Sequence, residues 1–251
     1  MQKTFLLFGL IINSLLFSQK IHIKYLFVRS PIATLSEDLY IDGNKVISIQ
    51  DSIIHFNNVQ SEGSINDIIP GGKKVKAFYF ISNSTNSNDR DFFFTSDVES
   101  YDNYFVHDKI TKPLWKIDNS STKKIAGYNC IKATTNFRGS NVVAYYAKDL
   151  PYSVGPFKFF GLPGVILDVR VEGKSFDLWK AEKVETNYTK NINFNPDFKG
   201  FTKVEIKRFI ELKDLKRRKF QAQVQKETLP GEKVDFPKER FGVESVFEWE
   251  K

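Results

Sequence analysis

Residues 149–167 read DLPYSVGPFKFFGLPGVIL, a connector in which three Pro and three Gly sit among three Phe, one Tyr and several aliphatic residues. This stretch constrains the fold more than any other. Pro and Gly interrupt helices and central strands, so the segment is irregular. Its apolar side chains are costly to leave in water, and a buried irregular backbone needs hydrogen-bond partners. The connector must therefore lodge against the rest of the molecule or a guest. Pro163-Gly164 suits the central positions of a type II turn leading into a strand at Val165. Gly161 and Gly164 also let the backbone approach another surface closely.

The flanks read as strands. Tyr128 to Phe137, a turn at Arg138-Gly139-Ser140, and Asn141 to Ala147 form one hairpin. Val165 to Val171 alternates, with Val165, Leu167, Val169 and Val171 on one face and Asp168 and Arg170 on the other. Glu172-Gly173-Lys174 turns into Ser175 to Glu182. Upstream, Ile21 to Arg29 is a candidate strand, and Asp42-Gly43-Asn44 joins Leu39–Ile41 to Val46–Ile49 as a hairpin. Ser61 to Gly72 and Ser82 to Asp91 read as loops, with strands at Val75–Ile81, Phe92–Thr95, Tyr101–His107 and Leu114–Ile117. The 24 Phe, 10 Tyr and 3 Trp among 251 residues fit this β-rich reading.

The C-terminal part differs. Thr202 and Glu205 have the spacing of a capping box, which predicts a helix over about 203–223. Val204, Phe209, Ile210 and Leu215 would form its apolar stripe, and Lys216-Arg217-Arg218-Lys219 its densest basic surface. Such a helix either packs on a sheet with a solvated basic face or lies on anionic membrane. After Pro230, the apolar residues Phe236, Phe241, Val243, Val246, Phe247 and Trp249 suggest a last strand.

Lys3, an apolar run from Phe5 to Phe17 and small Ser18 have the form of a secretory signal peptide over residues 1–18. The run is shorter than the ~20 residues of a membrane-spanning helix. Cleavage removes Lys3 and lowers the formal charge from +7 to +6. Residues 19–251 then read as a single exported domain, periplasmic, outer-membrane-associated or secreted. In that setting the basic balance argues for solubility or envelope partners rather than nucleic acid.

Recognisable chemistry is sparse. One Cys excludes an internal disulfide and a Cys-x-x-Cys pair, and three scattered His give no metal-site spacing. Cys130 sits in a strand pattern and reads as a buried thiol. Asp149, Asp168 and Glu172 flank turns without a hydrolase signature. No catalytic residue, metal or cofactor is expected.

The Gly–Pro connector carries a resemblance. Gly161-Leu162-Pro163-Gly164-Val165-Ile166 nearly matches the motif that names the GLPGLI family. Gly127-Tyr128-Asn129-Cys130-Ile131-Lys132-Ala133, Phe137-Arg138-Gly139, Ala144-Tyr145-Tyr146, Asp149-Leu150-Pro151 and Gly155-Pro156-Phe157-Lys158-Phe159 resemble further parts of it in order, over about residues 113–172. The resemblance implies a secreted protein of a Gram-negative bacterium. It brings no activity, cofactor or catalytic residue.

The expectation is a mainly β protein, a large curved antiparallel sheet or half-barrel with one C-terminal helix. It would be a non-enzymatic envelope protein binding an apolar small molecule or a protein partner. Tyr152, Gly155, Pro156, Phe157, Phe159, Phe160, Gly161, Leu162, Pro163 and Gly164 are the candidate binding residues. The alternatives are an enzyme of unrecognised type and a module that pairs a partner strand at its sheet edge.

Overall fold

The computed structural model describes residues 20–31, 33–50, 55–56, 77–82, 88–98, 102–229, 232, 234, 236, 240 and 242–250. The signal peptide expected at 1–18, the loop expected at Ser61–Gly72, most of the polar loop after Ser82, and Phe241 lie outside the described residues.

The described strands are β1 (Ile21–Ser30), β2 (Ala33–Asp42), β3 (Lys45–Gln50), β4 (His55–Phe56), β5 (Ala77–Ser82), β6 (Asp89–Ser96), β7 (Tyr104–Thr111), β8 (Lys116–Ile125), β9 (Tyr128–Phe137), β10 (Ser140–Ala147), β11 (Val165–Val171), β12 (Leu178–Thr186) and β13 (Thr202–Glu205). They form one sheet in the order β13-β7-β6-β5-β3-β2-β1-β12-β11-β10-β9-β8, with β4 paired to β2 off that path. The sheet is open, ending at β13 and β8. Every pairing is antiparallel except β13 with β7. The protein is thus mainly β, with a large antiparallel sheet and one helix, α1 (Ile206–Glu227).

Period-two alternation builds the core face. Ile21, Ile23, Tyr25 and Phe27 of β1 are buried on one side. Across from them stand Ile41, Leu39, Glu37 and Leu35 of β2. On the other flank Phe27 pairs with Trp179 and Tyr25 with Ala181 of β12. The same face continues through Val169, Ala144 and Ala133. Tight turns hold the hairpins beyond it. Ala126-Gly127 and Arg138-Gly139 both place two successive residues at positive φ, the geometry of type I′ turns that match strand twist.

The helix departs from its expected position. Thr202–Glu205 forms no capping box, because these residues pair with Tyr104–His107 of β7 as a strand. The N-cap is Glu205, without a side-chain cap bond. Ile206 and Phe209 are buried in α1, while Leu215 faces solvent. The expected apolar stripe therefore ends after the first turn and a half. No strand follows Pro230 among the described residues. Instead Val243 and Phe247 bury beside the sheet, and Glu248–Glu250 close a short 3₁₀ turn.

Candidate functional site

The Gly–Pro connector, residues 148–164, folds back on itself and fills the core face of the sheet. Its backbone is bonded at many points, as burial demands. Tyr152 N–H donates to Leu150 O (2.7 Å), Val165 N–H to Leu150 O (2.9 Å) and Ile166 N–H to Val154 O (2.9 Å). Val154 and Phe160 form a single β-bridge across the loop. Gly161 N–H donates to Ser153 Oγ (3.0 Å).

Three glycines make this fold-back possible, each differently. Gly161 has φ +98°, a conformation other residues rarely adopt. Gly155 lies so close to β11 that an added Cβ would be 2.8 Å from Ile166 Cβ. Gly164 does not take the positive φ of the expected type II turn. Its role is contact, since an added Cβ would overlap the Ala147 carbonyl, 2.7 Å from its carbon.

The side chains complete a hydrophobic plug. Leu150, Val154, Phe159, Phe160 and Leu162 are buried, as are Gly155, Pro156 and Gly164. Phe160 packs on Phe92 of β6, centroids 5.6 Å apart, with the Arg90 guanidinium 4.8 Å above its ring. Phe159 meets Phe137 at 5.1 Å. Phe157 stacks on Trp179 at 5.5 Å, and Trp179 stacks on Phe27 at 4.2 Å. Of the ten candidate binding residues, Tyr152, Phe157 and Gly161 are half-buried and only Pro163 is exposed.

A charged lock fixes the plug from beneath. Lys158, in the middle of the apolar run, is buried and donates to Asp108 of β7 (2.7 Å) and Glu244 (2.9 Å). Arg138 grips the same Asp108 with two bonds of 2.7 Å, and also pairs with Glu244 and Glu248. Burial alone would raise the Asp108 carboxyl, but the Lys158 and Arg138 charges outweigh it and hold it down to about 2. One cluster thus joins the plug, β7, the β9–β10 turn and the C-terminal segment.

A second buried acid holds the plug at its other side. Glu37 of β2 accepts from Phe157 N–H (2.7 Å), Ser48 Oγ (2.7 Å) and Trp179 Nε1 (2.8 Å). Burial raises its pKa, and the three donors pull against that shift. Sequence reasoning missed Glu37, Asp108, Arg138, Lys158 and Glu244 as a group. The available signal was Lys158, a lone cation within an otherwise apolar run.

The other chemical candidates are dispersed. Cys130 is buried in β9, and burial pushes its thiol up to about 12. Asp168 is buried and paired with Lys123 (3.1 Å) and Arg170 (2.8 Å), while Asp149 and Glu172 are exposed. His22 lies between Asp38 (2.6 Å) and Glu185 (2.7 Å), and His107 between Asp91 (2.8 Å) and Glu205 (3.0 Å). Among the described residues no cluster of His, Cys, Asp and Glu has the form of a metal site. An open depression of about 460 Å³, lined by Lys45 and residues 191–195, lies apart from the plug.

Where the plug reaches the surface it meets the β8 edge. The Trp115 indole N–H donates to Phe160 O (2.7 Å), and an added Cβ on Gly161 would lie 3.5 Å from the same indole. Beside Trp115, Leu114 is 91% exposed, and Ile117 is 39% exposed. β8 then bulges. Its register with β9 jumps from Asp118–Lys132 to Thr122–Ile131, leaving residues 119–121 unpaired. Asp118 accepts from the Ser120 and Ser121 hydroxyls, which shapes the bulge.

Comparison with known proteins gives a limited likeness. No curated protein matches the chain. Of solved structures, PNGF-II in a C2 crystal form superposes with a TM-score of 0.50 at 18% identity, covering 79% of this chain and 33% of that one. PNGF-II in a P21 form gives 0.48 at 17% identity, covering 79% and 34%. The chain spans about a third of the PNGF-II length, and the likeness is one of fold. Residues 137–168 match the model of a family described as "Protein of unknown function (Porph_ging)". That stretch begins one residue before Arg138, contains the whole plug, and ends at buried Asp168 of β11, so the part of the chain that is similar to the family is the part that fills the sheet.

Proposed function

We propose that this chain is an exported, non-catalytic envelope protein of the GLPGLI type that recognises a protein partner at the apolar rim where the plug meets β8. The single observation behind this reading is Leu114, 91% exposed beside a Trp115 that is anchored to the Phe160 carbonyl. A large aliphatic side chain so fully in water, on a rigid support, is the kind of anchor an interface buries. Two further features fit. Lys116–Asp118 have a free strand edge among the described residues, and the bulge at 119–121 interrupts it. The plug's own rings occupy the sheet face that an apolar small molecule would need, which favours a protein partner.

Export rests on the form of residues 1–18, and the ordered match to the GLPGLI motifs supports it. Among the described residues no helix is long and apolar enough to cross a membrane.

The test is site-specific photo-crosslinking in the native host, with the crosslinker at position 114. A reproducible envelope-protein adduct is expected, lost on Ile117→Lys and absent when the crosslinker stands at exposed Lys199. Equal labelling from both positions, or none from 114, rejects the rim as an interface. N-terminal sequencing of the exported protein should begin near Gln19.

A further inference from the structure

The body of the protein fully buries only the start of α1, and holds its middle through Asp214, bonded to Arg240, and Lys216, bonded to the Val98 carbonyl. Ile206 and Phe209 are its buried residues, yet the helix continues to Glu227. The turns of the outer face follow helical spacing through Arg208, Leu215, Arg218, Lys219, Ala222 and Lys226, and every one is exposed. This face runs about 27 Å along the helix axis. Its acid, Glu211, is occupied by Arg208 at 3.1 Å. Arg218, Lys219 and Lys226 have no ion-pair partner among the described residues.

A solvated helix face needs charge but not large apolar groups. Here the cations surround Leu215, 44% exposed, and the helix is followed by Leu229, 68% exposed. Phe220, 61% exposed, stands in line with Phe209 and outside this face. A polyanion such as a polysaccharide has no use for an exposed aliphatic group among the cations, whereas a lipid interface takes both.

We propose that the outer face of α1 adsorbs to anionic phospholipid surfaces, with Arg208, Arg218, Lys219 and Lys226 at the headgroups and Leu215 entering the interface. This surface is separate from the β8 rim, so either reading stands or falls without the other. Each cation near an anionic bilayer raises partitioning by about fivefold. The attraction weakens with salt, as screening requires.

The experiment is co-sedimentation of the purified protein with vesicles of phosphatidylglycerol and phosphatidylcholine in equal parts, or of phosphatidylcholine alone. Binding to the mixed vesicles is expected to exceed binding to the neutral ones by more than about tenfold. The fourfold variant Arg208→Gln, Arg218→Gln, Lys219→Gln, Lys226→Gln should lose that preference while unfolding at the same denaturant concentration, since none of these groups is buried. Leu215→Gln should weaken vesicle binding and leave binding to soluble heparin unchanged. A fluorophore at Ala222→Cys should shift to the blue on mixed vesicles. Equal binding to both vesicle types, an undiminished fourfold variant, or a Leu215→Gln variant that binds mixed vesicles as tightly as the wild type would each overturn the proposal.

Discussion

Lys158 Nζ lies 2.7 Å from Asp108 Oδ2 with both side chains removed from solvent. The same carboxylate is held by Arg138. An ion pair in this setting is costly to break from either side, because the survivor is left charged and dry. The cost differs between partners. Lys158→Met leaves Asp108 still gripped by Arg138, whereas Asp108→Ala leaves two cations facing one fewer acid. Asp108→Ala should therefore cost about 3–5 kcal/mol and Lys158→Met less. Urea unfolding of both variants gives the ranking, and the reverse order would refute the lock.

The plug's rings should separate by burial. Phe160 is fully enclosed against Phe92, so Phe160→Ala is expected to lose about 3–5 kcal/mol. Phe157 is half-buried and should lose clearly less, although its backbone N–H still meets Glu37. Matching losses in thermal unfolding would mean that the rings share one environment.

Two glycines distinguish crowding from conformation. Gly127→Ala meets open space at φ +91° and should cost about 1–2 kcal/mol, from backbone strain alone. Gly164→Ala has no positive φ to lose but collides with the Ala147 backbone, which cannot swing aside. Its cost should be the greater, seen as a lower unfolding midpoint or a failure to fold. A milder effect at 164 than at 127 would show that the plug is loosely seated.

Stability should fall as pH rises through neutrality. Burial lowers the His22 pKa, but the Asp38 and Glu185 bonds outweigh it and leave a net rise above 6.5. His107 shows the same balance with Asp91 and Glu205. A raised histidine contributes fully below its unfolded pKa and loses that contribution as pH climbs through the folded value. Denaturant midpoints should thus decline from about pH 6 upward, and His22→Gln with His107→Gln should flatten the decline. A flat wild-type profile would count against both clamps.

Much of the sheet is legible in the sequence where local signals agree. Tyr128–Phe137 and Val165–Val171 are readable to the residue, because alternation and Gly turns mark both ends. Thr202–Glu205 is misread as a helix cap, since its spacing fits one. Pairing with β7 overrides that local preference. That residues 149–167 must be buried is also readable, from their oiliness. That Lys158 goes in with them is not, because a lysine's type speaks for the surface. Glu37 and Asp108 are equally silent, as their partners lie far along the chain.

The place of β1 has a consequence for how this molecule acquires its shape. The strand is seated between β2 and β12, and its far neighbour ends at Thr186. A chain emerging from its N-terminus presents Ile21, Ile23, Tyr25 and Phe27 long before Trp179 and Ala181 exist to cover that flank. Assembly must therefore wait for distant segments, which makes it slow. In the interval the early segment keeps one apolar flank unmatched.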